Sequence, residues 1–265
     1  MDVSPEYATE IEAWRRRRVE RLVSENGWLS LTGLFWLEEG DNLVGADPSN
    51  AVVLHGNSPR LAGTIRLEKG RAVFVPADGA DVLPLTTDAA DSPTSVAFGT
   101  ARFLLVDRGG RLAARVRDVE HPARRALRPI PAFPLDPAWR LEARVAPYDP
   151  PRRIPMPSIL GTVELETSPG AVVFSKDGRE YRLDPILERG EDDWWIVFGD
   201  RTNGHDTYAG GRFVYVGPPA GGRTVLDFNK AYNPPCVFTP HSTCPLPPPQ
   251  NRLPIPVEAG EKTYV

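Results

Sequence analysis

Proline and glycine recur too often along this chain for long helices to survive, with 29 prolines and 23 glycines spread over 265 residues. Proline removes a backbone donor and fixes φ, while glycine admits turns that other residues resist, so the pair favours short elements joined by fixed turns. Between the turns stand short apolar runs: AVVLHGNSP, GTIRLEKG, RAVFVPADG, ADVLPLTTD, TSVAFGTARFLLVDRGG, RLAARVRD and, later, GTVELETSPGAVVFSKDGREYRLDPI. Ile65 with Leu67, and Phe103 with Leu105, alternate as half-buried strands do. Asp107-Arg108-Gly109-Gly110, Ser168-Pro169-Gly170 and Lys176-Asp177-Gly178 are the expected turns. The expectation is a mainly β fold, a two-layer sandwich or distorted barrel, built as one β-rich domain over residues 1–265.

Two segments depart from that pattern. Residues 7–31 read as a helical lead-in, because Ile11, Trp14, Val19, Leu22 and Val23 recur at helical spacing. Ser4-Pro5 can start the helix and Asn26-Gly27 can end it. Arg15 to Arg18 wrap around such a helix and read as a solvated face, and Trp28, Phe35 and Trp36 as packing residues. From His121 through Ser158 the prolines suggest a connector that wraps or separates sheet layers. Residues 227–261 are proline-rich too, yet specific polar and aromatic residues interrupt the prolines, so the segment reads as an ordered wrap over the β scaffold.

A formal charge of -4 gives no global attraction for nucleic acid, and no run approaches the ~20 apolar residues that cross a bilayer. The N-terminal stretch has acids before its basic cluster and no apolar core of a secretory signal, so a cytoplasmic location is expected. No cofactor is expected from the sequence, no residue is singled out as a metal ligand, and the oligomeric state is left unknown.

Candidate chemistry gathers near the C-terminus. Asp200, Thr202, Asn203, His205, Asp206, Thr207 and Tyr208 crowd one glycine-rich turn, which can organise hydrogen bonds or form a ligand rim. His205 is the candidate base, with Asp206 or Asp200 to orient it. Arg102 in ARFLLV and Arg212 in GRFVYV sit in similar strand patterns, and on one cavity floor they would grip a carboxylate or phosphate. Asp227, Asn229, Lys230 and Asn233 can orient water or bind backbone groups, and Tyr208 can donate a phenolic hydrogen bond. Cys236, His241 and Cys244 make a C-x4-H-x2-C fragment, to which His205 or Asp227 could add a fourth zinc ligand. It lacks the usual close cysteine pair, so a disulfide, free thiols and a metal site all stay open.

The runs ENGWLSLTGLFWLEEGDNLVG, GDRTNGHDTYAGGRFVYV, LDFNKAYNPPC and CPLPPPQNRLPIPVEAGEK together resemble the DUF1684 family, over most of residues 7 to 264. The resemblance implies a largely β domain and carries no activity. Three functions compete. The first is recognition of a small polar or anionic ligand in a loop-formed pocket. The second is hydrolysis with His205 as general base and Arg212 stabilising oxygen charge. The third is a structural or protein-interaction module with the terminal prolines as its recognition edge.

Overall fold

A computed structural model describes residues 3–188, 190 and 192–264. The fold is mainly β, with one α-helix among the described residues, α1 (Pro5–Val23). Ser4 caps it, its Oγ accepting from the Tyr7 N–H at 3.2 Å. The helix is shorter than the expected 7–31 segment: it stops at Val23, and Trp28–Ser30 forms a single 3-10 turn before the first strand. Among the described residues no helix is long and apolar enough to cross a membrane.

Contacts divide the chain into two compact units. One comprises Arg18–Leu127 with Thr239–Ser242. Its strands are β1 (Leu31–Trp36), β2 (Gly40–Gly45), β3 (Val52–Val53), β4 (Gly63–Glu68), β5 (Arg71–Pro76), β6 (Leu83–Leu85), β7 (Ser95–Phe98), β8 (Ala101–Arg108) and β9 (Arg111–Asp118). They form two sheets, in the orders β1-β9-β8-β7 and β3-β2-β4-β5-β6. Val44, Ile65, Phe74, Phe103, Leu105, Ala114 and Val116 bury their inner faces in one core. The expected β8–β9 turn forms because Gly109 (φ 64) and Gly110 (φ 82) take the left-handed conformations of a tight hairpin. Asp107 Oδ1 accepts from the Gly110 N–H at 2.8 Å and fixes it.

The other unit comprises Met1–Arg17, Arg128–Phe238 and Thr243–Val265. Its strands are β10 (Arg140–Pro157), β11 (Val163–Lys176), β12 (Arg179–Leu183), β13 (Ile186–Leu187), β14 (Trp194–Phe198), β15 (Arg212–Val216) and β16 (Arg223–Asp227), in sheets β12-β11-β10-β16 and β13-β14-β15. Phe228 is the centre of the core, in edge-on contact with Trp139, Phe174 and Phe198 at centroid distances of 5.8, 5.7 and 5.2 Å.

Two expectations fail here for the same reason. The second half of the stretch read as a proline connector is β10, while its first half holds two short 3-10 turns, and Ser168-Pro169-Gly170 is no turn but the middle of β11. The register breaks between Pro147, opposite Gly170, and Arg152, opposite Ser168. The missing N–H of Pro169 therefore falls at a bulge and costs no ladder bond. β16 pairs with β10 only from Arg140 to Arg144, so the later prolines of β10 lie on an edge that owes no donor to a neighbour.

The C-terminal segment is an ordered wrap. Its backbone exchanges bonds with β14 and its following turn, Gly199 N–H to Asn251 C=O at 3.0 Å and Leu253 N–H to Gly199 C=O at 2.8 Å. Leu253, Val257 and Ala259 enter the core. Gly211 (φ 89) lets it close, since a Cβ there would come within 2.5 Å of Pro247. Cys236 and Cys244 are joined in a disulfide, which resolves the three alternatives and takes both thiolates away from any metal. Replacing both by serine opens a cross-link between residues eight apart. It is expected to cost about 2–3 kcal/mol, read as a lower urea midpoint at unchanged m value. An unchanged midpoint would mean that buried contacts alone hold the wrap.

Candidate functional site

Arg212 opens β15 and its side chain is wholly enclosed, as is that of Asp200 in the turn after β14; each is 0% exposed. The guanidinium donates through Nη2 to Asp200 Oδ2 at 2.9 Å and to the Val257 carbonyl at 2.7 Å. Through Nη1 it reaches the carbonyls of Ala259 and, at 3.3 Å, Glu261. Burial pushes the Arg212 guanidinium below its ordinary value, and the Asp200 charge opposes that shift. Asp200 Oδ1 in turn accepts from the Thr202 N–H, the Thr202 hydroxyl and the Val257 N–H at 2.8, 2.6 and 3.1 Å. Both residues were candidates for substrate contact. The Nη atoms of Arg212 and both oxygens of Asp200 instead pin the wrap to the turn after β14, and the buried Arg212 Nε has no hydrogen-bond partner among the described residues.

The rest of that turn is tied to itself. Asn203 Oδ1 accepts from the Asp200 N–H at 2.7 Å, and the Thr202 and Thr207 hydroxyls meet at 2.7 Å. His205 is exposed at the tip, and among the described residues its ring makes no hydrogen bond. Asp206 faces Lys262 Nζ at 3.0 Å, and Tyr208 is half-buried with its carbonyl accepting from the Gly211 N–H at 3.0 Å. Neither Asp200 nor Asp206 orients the His205 imidazole, so the hydrolytic constellation is not assembled.

Asp227, Asn229 and Lys230 do converge, around two helix residues that the sequence reading overlooked. Asp227 Oδ1 accepts from the Tyr7 phenol at 2.8 Å and from the Asn229 N–H at 3.1 Å. Asn229 Nδ2 donates to the Tyr7 oxygen at 3.0 Å and to the Asp136 carbonyl at 2.8 Å. Lys230 Nζ and Arg140 Nη1 bracket Glu10, at 2.5 and 2.8 Å. Burial, then the Asp227 carboxylate, drive the Tyr7 phenol above its ordinary range, and Lys230 holds the Glu10 carboxyl below its own. Tyr7 and Glu10 lie three residues apart on one face of α1, which is the signal that would have found them. Asn233 likewise works internally, its N–H donating to Glu261 Oε2 at 2.7 Å and its amide to the Lys262 carbonyl at 2.7 Å.

Arg102 and Arg212 belong to different compact units. The neighbours of Arg102 are other arginines. It stands directly opposite Arg117 across β8 and β9, and Arg115 follows two residues along on the same face. The alternation puts Arg108 and Arg111 on that face as well, with Phe103, Leu105, Ala114 and Val116 on the core side. Arg102 Nη2 donates to the Glu25 carbonyl at 2.9 Å. Arg117 Nη1 donates to the Gly27 carbonyl at 2.7 Å and the Ser30 hydroxyl at 3.0 Å. Arg124 Nε donates to the Val23 carbonyl at 2.8 Å, so three guanidinium groups hold the backbone leaving α1, where carbonyls lack helical partners. Burial, followed by neighbouring arginines, pushes Arg115 and Arg117 down to about 10. Asp88 answers Arg108 at 2.8 Å, while Glu25 stands 3.9 Å from Arg102. Among the described residues the buried Nε of Arg102 has no hydrogen-bond partner.

Residues 125–262 match the family described as protein of unknown function, DUF1684. The chain belongs to the DUF1684 family. The DUF1684 match takes in Asp200, Arg212, Asp227, Asn229, Lys230 and Asn233 but stops short of Arg102, Arg115 and Arg117, and it is narrower than the resemblance read from residue 7 onwards. One similar solved structure is an uncharacterized protein of Haloarcula marismortui determined by solution NMR. It is 29% identical, the likeness covering 53% of this chain and 79% of that one with a TM-score of 0.44. No curated protein matches the DUF1684 chain.

Removing one member of an enclosed ion pair strands the other charge. Arg212→Met is therefore expected to lose about 3–5 kcal/mol of unfolding free energy, measured by urea denaturation; a loss below ~1 kcal/mol would mean the pair is solvated. A second prediction concerns His241, which lies in Thr239–Ser242. Burial first, then His121 and His55, push its imidazole below the usual value. The unfolded chain takes up this proton near pH ~6.5, while the folded chain resists until lower pH. Stability is thus full above that value and falls as pH drops through it. The urea midpoint should decline between about pH 7.5 and 5.5, and His241→Asn should flatten that decline; an equal slope in the variant would remove His241 from the cause.

Proposed function

We propose that the protein recognises a small anion, a carboxylate or phosphate, on the arginine-bearing face of the β1-β9-β8-β7 sheet. The observation that carries this is the gathering of Arg102, Arg115 and Arg117 on one sheet face, where Arg102 and Arg117 donate to carbonyl and hydroxyl oxygens. Carbonyl and hydroxyl oxygens accept from Arg102 Nη2 and Arg117 Nη1 without cancelling their charge. Like charges directly opposite across two strands oppose folding, and the lowered values of Arg115 and Arg117 reflect that strain together with burial. An anion between them relieves the repulsion and offers the unused Nε of Arg102 a charged acceptor. Arg102 was an anion contact in the sequence reading; its partners in that role are now Arg115 and Arg117, and Arg212 has no part in it.

Phosphate and citrate, each at millimolar concentration against sodium chloride of equal ionic strength, are expected to raise the melting temperature by about 2–4 °C. Arg102→Gln and Arg115→Gln should abolish the excess over chloride. A shift no larger than chloride gives, or one that both variants retain, would discard anion recognition at this face.

A further inference from the structure

The β10–β11 ribbon protects one of its edges and leaves the other open. Over Val163–Ser168, β11 pairs with β10, and β12 takes up its second edge only from Val172 onwards. Among the described residues no strand runs along the outer edge of Val163–Ser168. Register decides what that edge presents. Pro155 and Pro157 stand opposite Leu165 and Val163, and proline has no N–H to exchange. Such pairs are of the non-hydrogen-bonded kind, which turns the N–H and C=O of Val163 and Leu165 outward. The Pro157 carbonyl agrees with this geometry, for it accepts from Leu246 at 2.7 Å on the side away from β11. Arg153 covers the Leu165 carbonyl, leaving the N–H groups as the edge's donors.

On β10, Pro151, Pro155 and Pro157 deny an incoming strand the donors it needs. Between Val163 and Ser168, β11 has no proline, and Val163 and Leu165 are 61% and 55% exposed. Glu164 and Glu166 alternate with them, on the face shared with the buried Ile154 and Met156. Burial, and then Glu164, push the Glu166 carboxyl above its ordinary value, with Arg153 opposing the shift.

We propose that the β11 edge at Val163–Thr167 docks an extended strand of another protein in which apolar and basic residues alternate. The apolar residues would cover Val163 and Leu165, the basic ones would meet Glu164 and Glu166, and backbone bonds would complete the sheet. A second copy is a poor occupant, because antiparallel pairing of the same edge about Leu165 sets Glu164 against Glu166 of the copy.

The test is amide hydrogen exchange on the full chain, with a synthetic peptide of alternating valine and lysine and a control of alternating valine and glutamate. The valine–lysine peptide should slow exchange at Val163 and Leu165 by about tenfold or more, and the control should not. Leu165→Pro removes an outward N–H and no β10 ladder bond, so it should lose the protection. Should that variant fail to fold, the double variant E164K and E166K decides alone, since it should reverse the peptide preference. Absence of protection by the lysine peptide, or equal protection by both peptides, overturns the proposal. So does concentration-dependent protection of the same amides without any peptide, which would assign the edge to a second copy.

Discussion

The enclosed pair of Arg212 and Asp200 is the interaction on which the family-matched half depends. A guanidinium with five N–H groups can tie together segments far apart in sequence, and here it joins β15, the turn after β14 and three carbonyls of the C-terminal wrap. Its charge cannot be left alone in a dry interior, nor can that of Asp200, so each fixes the position of the other. Once they meet, Val257 and Ala259 are drawn into the core beside Phe228, and the proline-rich tail becomes part of the fold.

That hub explains why the C-terminal third is so rich in polar residues. A wrap crossing a sheet without joining its ladder carries backbone groups that must still find partners. Asn251 shows the solution: wholly buried, it accepts from the Asp184 N–H and donates to the carbonyls of Asp184 and Val197. Asn229 does the same between Tyr7 and Asp136, and Asn233 between Glu261 and Lys262. Polar side chains that resemble a reactive site in one dimension are, in three, the fastenings of an irregular segment.

The arginine face of the other unit has the opposite balance. Arg102 and Arg117 donate to carbonyl and hydroxyl oxygens, which leave their charge in place, while Asp88 pairs with Arg108 and Glu25 stands 3.9 Å from Arg102. Hydrogen-bond satisfaction and charge neutrality are separate requirements, and the proposed anion recognition rests on that difference.

Alternation of apolar residues and glycine-bearing turns was enough to make the mainly β class, the leading helix and the Asp107–Gly110 and Lys176–Gly178 reversals legible, since each rests on residues close in sequence. The long β10 was not legible, because a proline is tolerated or forbidden according to which edge of a strand has a neighbour, and only pairing decides that. The same holds for the site. Sequence singled out Arg102, Arg212 and Asn229 as ligand contacts and Asp200 as an orienting acid, but the partner of each is chosen by the fold. Arg212 met a carboxylate in a closed interior, Arg102 met two like charges on a sheet face, and Asn229 met a phenol from a helix more than two hundred residues away. Local chemistry sets what a side chain can bind; long-range packing sets what is left for it to bind.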